Sequence, residues 1–600
     1  MSNGVFGSRS PIVKGNTKIR IPQQEAYDAL RSFASAVPQE RESGVVLPVG
    51  CGKSGCITLA PFAFGANRVL VVAPGLRIAK QLSEDFDATR SDMFYAKTGA
   101  LVSPPYPEPV EIRGTSTNRG DLDESEVVVT NIQQLQGGEN RWLSNLPEDY
   151  FDLILFDEGH HSVAATWEGL RTKFPNARVV NFSATPLRAD GQRMGGRIVY
   201  SYPVSRAIRE GYVKRLKALV LNPRTLKYVR RDGGQEVEVP LEEVRRLGEE
   251  EADFRRSIVT SAETLNTIVD ASIRELERIR VETGDHRHKI IASALNFQHC
   301  IQIVEAYRRR GKRADYVHSR EDSPVNDRVF SRLDNNELDV IVQVRKLSEG
   351  FDHPYLTVAA VFSIFSNLSP FVQFVGRIMR VIVHDSPGNV QNQGAVVFHA
   401  GANVARRWED FQEYSEADQR YFEELLPVEG LDFEKAEDIE VVPSIRGSRD
   451  EVEVRDQGSV FVEEIPLIED DPAAMDAINT LRERGYSAET VRRAMELQPV
   501  PTTRVRERQA ARSRLDSRVK NEVGRILGER GLSPEGHELD RKRLGRTNFV
   551  VLKSAIDREV NHAVGRGSSE RHEFTRPELD LIENEFVSLV SKTVGEVFDG

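Results

Sequence analysis

Two short stretches carry the chemistry of this chain. Residues 48–54 read Pro-Val-Gly-Cys-Gly-Lys-Ser, and residues 156–160 read Phe-Asp-Glu-Gly-His. Gly50 and Gly52 permit a tight turn whose backbone N–H groups can face phosphate oxygens. Lys53 supplies a point charge for β- and γ-phosphates, and Ser54 a hydroxyl for Mg²⁺. Asp157 suits the Mg²⁺ water shell, and Glu158 suits orienting or deprotonating an attacking water. Each stretch supplies what the other lacks, and together they point to ATP bound with Mg²⁺ and split by water. The loop departs from the general phosphate-loop pattern at Leu47, which stands where a first glycine is expected. Cys51 reads as a small loop residue, not as a redox switch.

Such residues work only if secondary structure holds them at one edge. The apolar run 44–47 precedes the loop, and a helix is expected from Ser54. Residues 152–156 read as a buried strand that ends at the two carboxylates, where ligands bind in α/β sheets. From about 17 to 200 apolar strands alternate with amphipathic helices, the strands falling at 68–73, 126–130, 151–156 and 178–182. A second alternating block runs from about 285 to 400, with strands at 289–293, 314–318, 339–344, 358–363 and 394–399. Such alternation implies parallel sheets covered by helices. Between the blocks, 220–285 is a charged insertion with a hairpin tip at Arg230-Arg231-Asp232-Gly233-Gly234. It leads into one long amphipathic helix over 255–280.

The expected organisation is an extension over 1–16, an α/β domain over 17–205 and a second over 206–425. An acidic linker or small β insertion follows over 426–472, then a mainly α-helical domain over 473–600. Residues 429–471 carry about fifteen acidic residues against four basic ones. A chain of 600 residues is too long for one core. The net charge of −11 does not exclude a nucleic-acid partner, because local patches matter more than the total. Residues 1–16 lack a signal pattern, and the apolar run 358–365 falls short of the ~18 residues of a membrane span. Three cysteines form neither a disulfide framework nor a paired metal site. A cytoplasmic, reduced protein without a membrane is expected.

Further motifs follow in order. Arg20-Ile21-Pro22-Gln23-Gln24 precedes a helix, and a glutamine amide there can read the adenine edge. Ala73-Pro74-Gly75-Leu76-Arg77, Val129-Thr130-Asn131 and Ser183-Ala184-Thr185-Pro186 each end a strand. Glu349-Gly350-Phe351-Asp352 and Gln373-Phe374-Val375-Gly376-Arg377-Ile378-Met379-Arg380 lie in the second block. Arg377 and Arg380 are three apart on an expected helix and so share a face. The ordered set resembles the superfamily 2 helicases and translocases. Within them it resembles the branch of type III restriction-enzyme motor subunits and XPB-like DNA helicases, on Asp157-Glu158-Gly159-His160-His161-Ser162 and Ser183-Ala184-Thr185-Pro186-Leu187-Arg188.

The resemblance covers about 17–415 and implies two RecA-like domains with ATP in the cleft between them. It further implies that Arg20 and Gln23 serve the base and Gly50, Cys51, Gly52, Lys53 and Ser54 cradle phosphate. Asp157 and Ser54 hold Mg²⁺, and Glu158 serves water. Arg77 and Thr130 would meet nucleic-acid phosphates. His160, Ser183 and Thr185 would couple the nucleotide to the polymer track, and Gly350 and Asp352 would report on both. Gln373, Arg377 and Arg380 would reach across from the second domain, where the arginine fork stabilises spreading charge.

These expectations describe an ATPase that moves along, and unwinds, DNA, single-stranded or duplex; RNA stays open. The alternatives are a motor subunit that does not separate strands, and an ATP-gated clamp or scaffold. In the tail, 473–497 reads as a helical hairpin. The basic run Arg504, Arg506, Arg508, Arg512, Arg514, Arg518, Lys520 reads as a phosphate grip, a solvated helix or a protein-docking surface. No metal-ligand cluster and no nuclease pattern is evident.

Overall fold

The computed structural model describes residues 4–36, 40–112, 119–131, 134, 146–157, 164–184, 196–230, 236–318, 323–344, 353–365, 368–384, 386–415, 452–468, 515, 518–520, 522–534, 536–540, 547–567 and 574–599. The chain separates into two compact units, one of residues 1–424 and 436–491, the other of residues 425–435 and 492–600.

The first unit contains two large sheets. The strands of the first are β1 (Glu42–Val46), β2 (Val69–Ala73), β3 (Pro109–Glu111), β4 (Val127–Asn131), β5 (Leu153–Asp157), β6 (Arg178–Ser183) and β7 (Arg197–Ser201). Their order is β3-β4-β2-β5-β6-β1-β7, and every pair is parallel. The inner strands are mostly Val, Leu and Ile because helices cover both faces. A parallel sheet brings all its carboxyl ends to one edge. The loop after β1, the turn after β2, Asp157 and Ser183 therefore share that edge.

The remaining strands are β8 (Arg215–Pro223), β9 (Thr225–Arg230), β10 (Glu236–Pro240), β11 (Lys289–Ala294), β12 (Ala314–Val317), β13 (Val340–Val344), β14 (Leu356–Val361), β15 (Gln393–His399), β16 (Val452–Gln457) and β17 (Val460–Pro466). The second large sheet runs β12-β13-β11-β14-β15-β8-β17. Only β17 is antiparallel, against β8. A small antiparallel sheet, β10-β9-β16, stands beside it in sequence. Two parallel-sheet α/β domains thus follow one another in the chain.

Two segments differ from the sequence reading or refine it. The single helix expected over 255–280 is two helices, Ala252–Thr260 and Ala262–Thr283. Ser261 between them is extended, with φ −69° and ψ 143°. Its hydroxyl accepts the Thr264 N–H at 3.1 Å, so an N-cap restarts the helix where periodicity alone runs on. The acidic stretch 426–472 holds β16 and β17, which complete the small sheet and the edge of the second large one. The residues that describe a hairpin tip, 231–235, lie outside the described residues, but β9 and β10 on either side pair antiparallel.

The second unit is built on helices, including Asn548–Ala563 and Arg576–Asp599, around Val519, Leu527, Leu552, Ile556, Ile582 and Phe586. The expected hairpin 473–497 and the basic residues from Arg504 to Arg514 lie outside the described residues. Arg518 stacks its guanidinium over the Phe586 ring, 4.3 Å from the centroid, and so serves this core. Among the described residues no helix is long and apolar enough to cross a membrane.

Candidate functional site

The loop after β1 takes the conformation its glycines permit. Gly50 and Gly52 have φ of +93° and +87°, the left-handed region that costs other residues energy. The helix Lys53–Phe64 starts directly after Gly52, so its N-terminal end faces the loop. Lys53 Nζ lies 3.3 Å from Asp157 Oδ1, at the end of β5. In the sheet β6 lies between β1 and β5, so only the tertiary fold joins these two residues.

The loop is gripped from the Arg20–Gln23 side. Gln23 Nε2 donates to the Gly52 carbonyl at 2.8 Å, and its Oε1 accepts the Arg20 N–H at 3.0 Å. The Arg20 guanidinium donates to the Gly50 carbonyl and lies 5.8 Å from the Tyr212 ring centroid. Cys51 is fully buried, and burial pushes its thiol well above the ordinary range. A thiol held neutral and inaccessible is no redox switch, as its sequence context suggests.

Asp85 on the helix Leu76–Phe86 lies beside Ser54. Burial raises the Asp85 carboxyl to about 6 against the pull of Lys97 and Ser54 and with the push of Asp92 and Glu84. The sequence reading missed Asp85. An acid on an amphipathic helix looks like surface, and only packing turns it inward.

In the second domain the arginine pair differs from expectation. The helix Leu368–Gly376 stops at Gly376, leaving Arg377 in the turn beyond it and Arg380 in an antiparallel bridge with Val213. They do not share a helical face. The cause is a competing backbone partner: Lys214 N–H donates to the Met379 carbonyl at 2.8 Å, so 379–380 pair as a strand. Gln373 and Arg377 are half-buried and Arg380 is exposed. A Cβ on Gly376 would come within 3.0 Å of Val49 Cγ2, so this turn lies directly against the residue before Gly50.

Residues 211–214 are the second feature that sequence reasoning missed. The Tyr212 carbonyl would be 2.9 Å from a Cβ on Gly50, and Tyr212 Oη accepts the Ile21 N–H at 3.4 Å. This connector touches the Arg20 segment, the glycine loop and the Arg380 turn. Lys214 itself is fully buried, with Nζ donating to the Pro354 and Leu356 carbonyls at 2.7 and 2.8 Å. No motif marks these residues; their role comes from contacts alone.

Elsewhere, Arg77 is exposed, 5.8 Å from the Phe330 ring centroid. Thr130 is wholly buried in β4 and its hydroxyl turns to the Asn131 carbonyl at 3.5 Å, so the structure does not bring it to a surface. Ser183 is buried at the end of β6. Glu158, His160, Thr185, Gly350 and Asp352 lie outside the described residues.

The donor set fits a triphosphate with Mg²⁺. The glycine turn leaves no room for side chains, Lys53 is at hand, and the buried Asp157 Oδ1 has no hydrogen-bond partner, only the Lys53 charge. Among the described residues no cluster of three or more His, Cys, Asp and Glu is placed to hold a metal ion.

Comparison with known proteins matches residues 16–188 to the family model "Type III restriction enzyme, res subunit". Residues 271–382 match "Helicase conserved C-terminal domain". These matches support a superfamily 2 helicase of the branch of type III restriction subunits and XPB-like proteins. IRC3 of Saccharomyces cerevisiae, named for an ATP-dependent helicase, is 24% identical over 44% of this chain and 36% of its own length. The "DNA 3'-5' translocase XPB2" of Sulfurisphaera tokodaii is 23% identical over 62% of this chain and 80% of its own. The match thus spans well under half of the yeast relative. A restriction-enzyme HsdR fragment from Vibrio vulnificus is 17% identical over 64% of each chain, with a TM-score of 0.41. A likeness of that size does not define the fold of this helicase-family chain; its two parallel sheets do.

Proposed function

We propose that this chain is a nucleic-acid-stimulated ATPase that translocates on DNA and separates its strands. One observation carries the reading: Lys53 and Asp157 meet at the strand-end edge of the first domain, with the Gly376–Arg380 turn of the second domain against the same loop. Arg20 and Gln23 hold the loop and present an amide edge to adenine. Gly50, Cys51 and Gly52 turn backbone N–H groups to phosphate, and Lys53 neutralises it. Ser54 and Asp157 would hold Mg²⁺, which supplies charge neutralisation between the phosphates. Glu158 orients or deprotonates the attacking water. Arg377 and Arg380, with Gln373, stabilise charge that develops on the transferred group.

Coupling follows from the two-domain design. His160, Ser183, Thr185, Gly350 and Asp352 link nucleotide state to the polymer track, and Arg77 grips the phosphodiester backbone. Backbone grip gives action without sequence preference. Duplex or single-stranded DNA is the expected polymer, with RNA as the contrasting arm of the test. The free, buried thiols of Cys51, Cys56 and Cys300 suit a reducing compartment, read here as cytoplasmic. The tail is read as a surface for DNA or for a protein partner.

The deciding experiment measures ATPase rate without polymer and with single-stranded DNA, duplex DNA and RNA. Stimulation by DNA is expected; a rate indifferent to every polymer overturns the reading. A second reading, a motor that pumps duplex without unwinding it, is favoured by the restriction-subunit family match. Displacement of a third strand without displacement of a duplex strand would select it.

A further inference from the structure

The carbonyls of Ser183 and Ala184 accept from different parts of the molecule. Ser183 O accepts the Leu47 N–H at 2.9 Å, which ties it to the residue entering the glycine loop. Ala184 O accepts the hydroxyl of Tyr414 at 2.7 Å. Tyr414 belongs to the helix Val404–Ser415, which follows β15 and lies beyond every motif read from the sequence. Both partners of this bond are buried.

Tyr414 is the end of a ring series. It stacks on Phe411, with centroids 6.5 Å apart at an interplanar angle of 23°. Phe411 lies 6.2 Å from Phe371, which in turn lies 5.4 Å from Phe365. Phe371 sits on the helix Leu368–Gly376, two residues before Gln373 and in the helix that delivers the Arg377 turn. Phe371 and Phe411 are fully buried, and close-packed rings shift as a unit instead of deforming singly.

From this geometry we infer that Tyr414 is a positioning residue that couples the arginine-bearing helix of the second domain to the Ser183-Ala184 segment of the first. Resting on the motor reading above, it names a coupling element of that same site. When the second domain moves on the glycine loop, Ser183 stays with β1 while Ala184 is drawn by the Tyr414 hydroxyl. The peptide between them is thus placed to change orientation with the domain movement. A coupling of this kind changes how strongly polymer stimulates turnover and leaves the chemistry of hydrolysis in place.

The test is ATPase of the full chain with and without saturating single-stranded DNA. Tyr414→Phe keeps the ring and removes only the bond to Ala184. It should leave the polymer-free rate near that of the parent and cut stimulation roughly two- to thirtyfold. Phe411→Leu should do the same through the rings, and the double variant should lose no more than the worse single one. Stimulation of Tyr414→Phe equal to the parent overturns the inference while leaving the motor reading standing. So does an equal fall of both rates, or losses that multiply in the double variant. A parent chain that no polymer stimulates sinks the motor reading first and this inference with it.

Discussion

In the first domain, Asp157 ends β5 and Lys53 opens the helix that follows the loop after β1, and both strands have neighbours on both sides. In the second, Arg377 and Arg380 lie past the end of a helix, held by backbone borrowed from residues 213–214. The first half builds its site from its own sheet. The second half builds its contribution from a connector outside its motifs. Their ionisable interiors differ too. His288, His299, His353 and His399 are buried in the second domain, whereas the raised acid beside the loop, Asp85, belongs to the first. The comparison teaches that one kind of sheet can seat charged groups at its own strand-end edge in one domain and in a turn held by borrowed backbone in the other.

The largest expected effect tests the groups at the strand-end edge of the first domain. Lys53→Ala should abolish measurable ATPase and weaken nucleotide binding, and Glu158→Gln should bind ATP yet not turn over, read by equilibrium binding beside steady-state kinetics. Parent-like turnover in Glu158→Gln would remove Glu158 from the mechanism. For the turn of the second domain, Arg377→Ala or Arg380→Ala should cost roughly 10³-fold in kcat with far less change in KM. Equal, modest changes in both constants would mean ground-state binding and would erase the contrast drawn here.

The two domains should also respond oppositely to acid. Burial lowers the imidazoles of His288, His299, His353 and His399 to about 4, aided by Lys214 beside His288 and by Lys289 and Lys214 beside His353. A depressed histidine contributes stability that is present above the unfolded value of about 6.5 and is lost as pH falls through the folded one. Each can remove up to about 3 kcal/mol between pH 6.5 and 4. Hydrogen exchange should therefore show the amides of β11 losing protection in this window sooner than those of β2. Equal loss in both strands would break the comparison.

Asp85 carries the opposite sign. Its raised carboxyl favours folding below the unfolded value, and that contribution fades as pH rises through about 6. At pH 7.5 the buried charge costs up to about 3 kcal/mol, so Asp85→Asn should raise the denaturation midpoint there and leave it unchanged at pH 4. An Asn variant no more stable at either pH would show that the pull of Lys97 and its other neighbours outweighs burial. The smallest effect concerns the tail. A chain ending after Val491 should keep its polymer-free ATPase. If the basic run grips phosphate, the slope of log affinity against log salt should shallow by about 0.7 to 0.9 per lost contact. An unchanged slope would turn attention to a protein partner.

Much of the first domain was legible because its signals are local. Strand positions such as 178–182 follow from short apolar runs, and the glycine turn follows from residues that tolerate positive φ. The strand ends of the second block were legible for the same reason. Arg377 and Arg380 were misjudged because helical spacing predicts a shared face only while the helix continues, and the connector's backbone ends it. Ser261 was missed because a cap inside an amphipathic run does not disturb the apolar period. The acidic stretch was open between linker and insertion because β16 and β17 find their partners more than two hundred residues earlier.

Sequence by itself determined the residue types for phosphate, metal and water, their order, and the alternation that makes two parallel sheets. These depend on side-chain chemistry and short-range periodicity, which neighbouring residues set. Tertiary structure alone decided that Lys53 meets Asp157 across an intervening strand and that Tyr212 and Val213 lie between glycine loop and arginine turn. It alone turned Asp85 toward Ser54 and set Tyr414 against Ala184. Each of these depends on distant backbone converging at one edge, and no local pattern encodes which distant groups will arrive there.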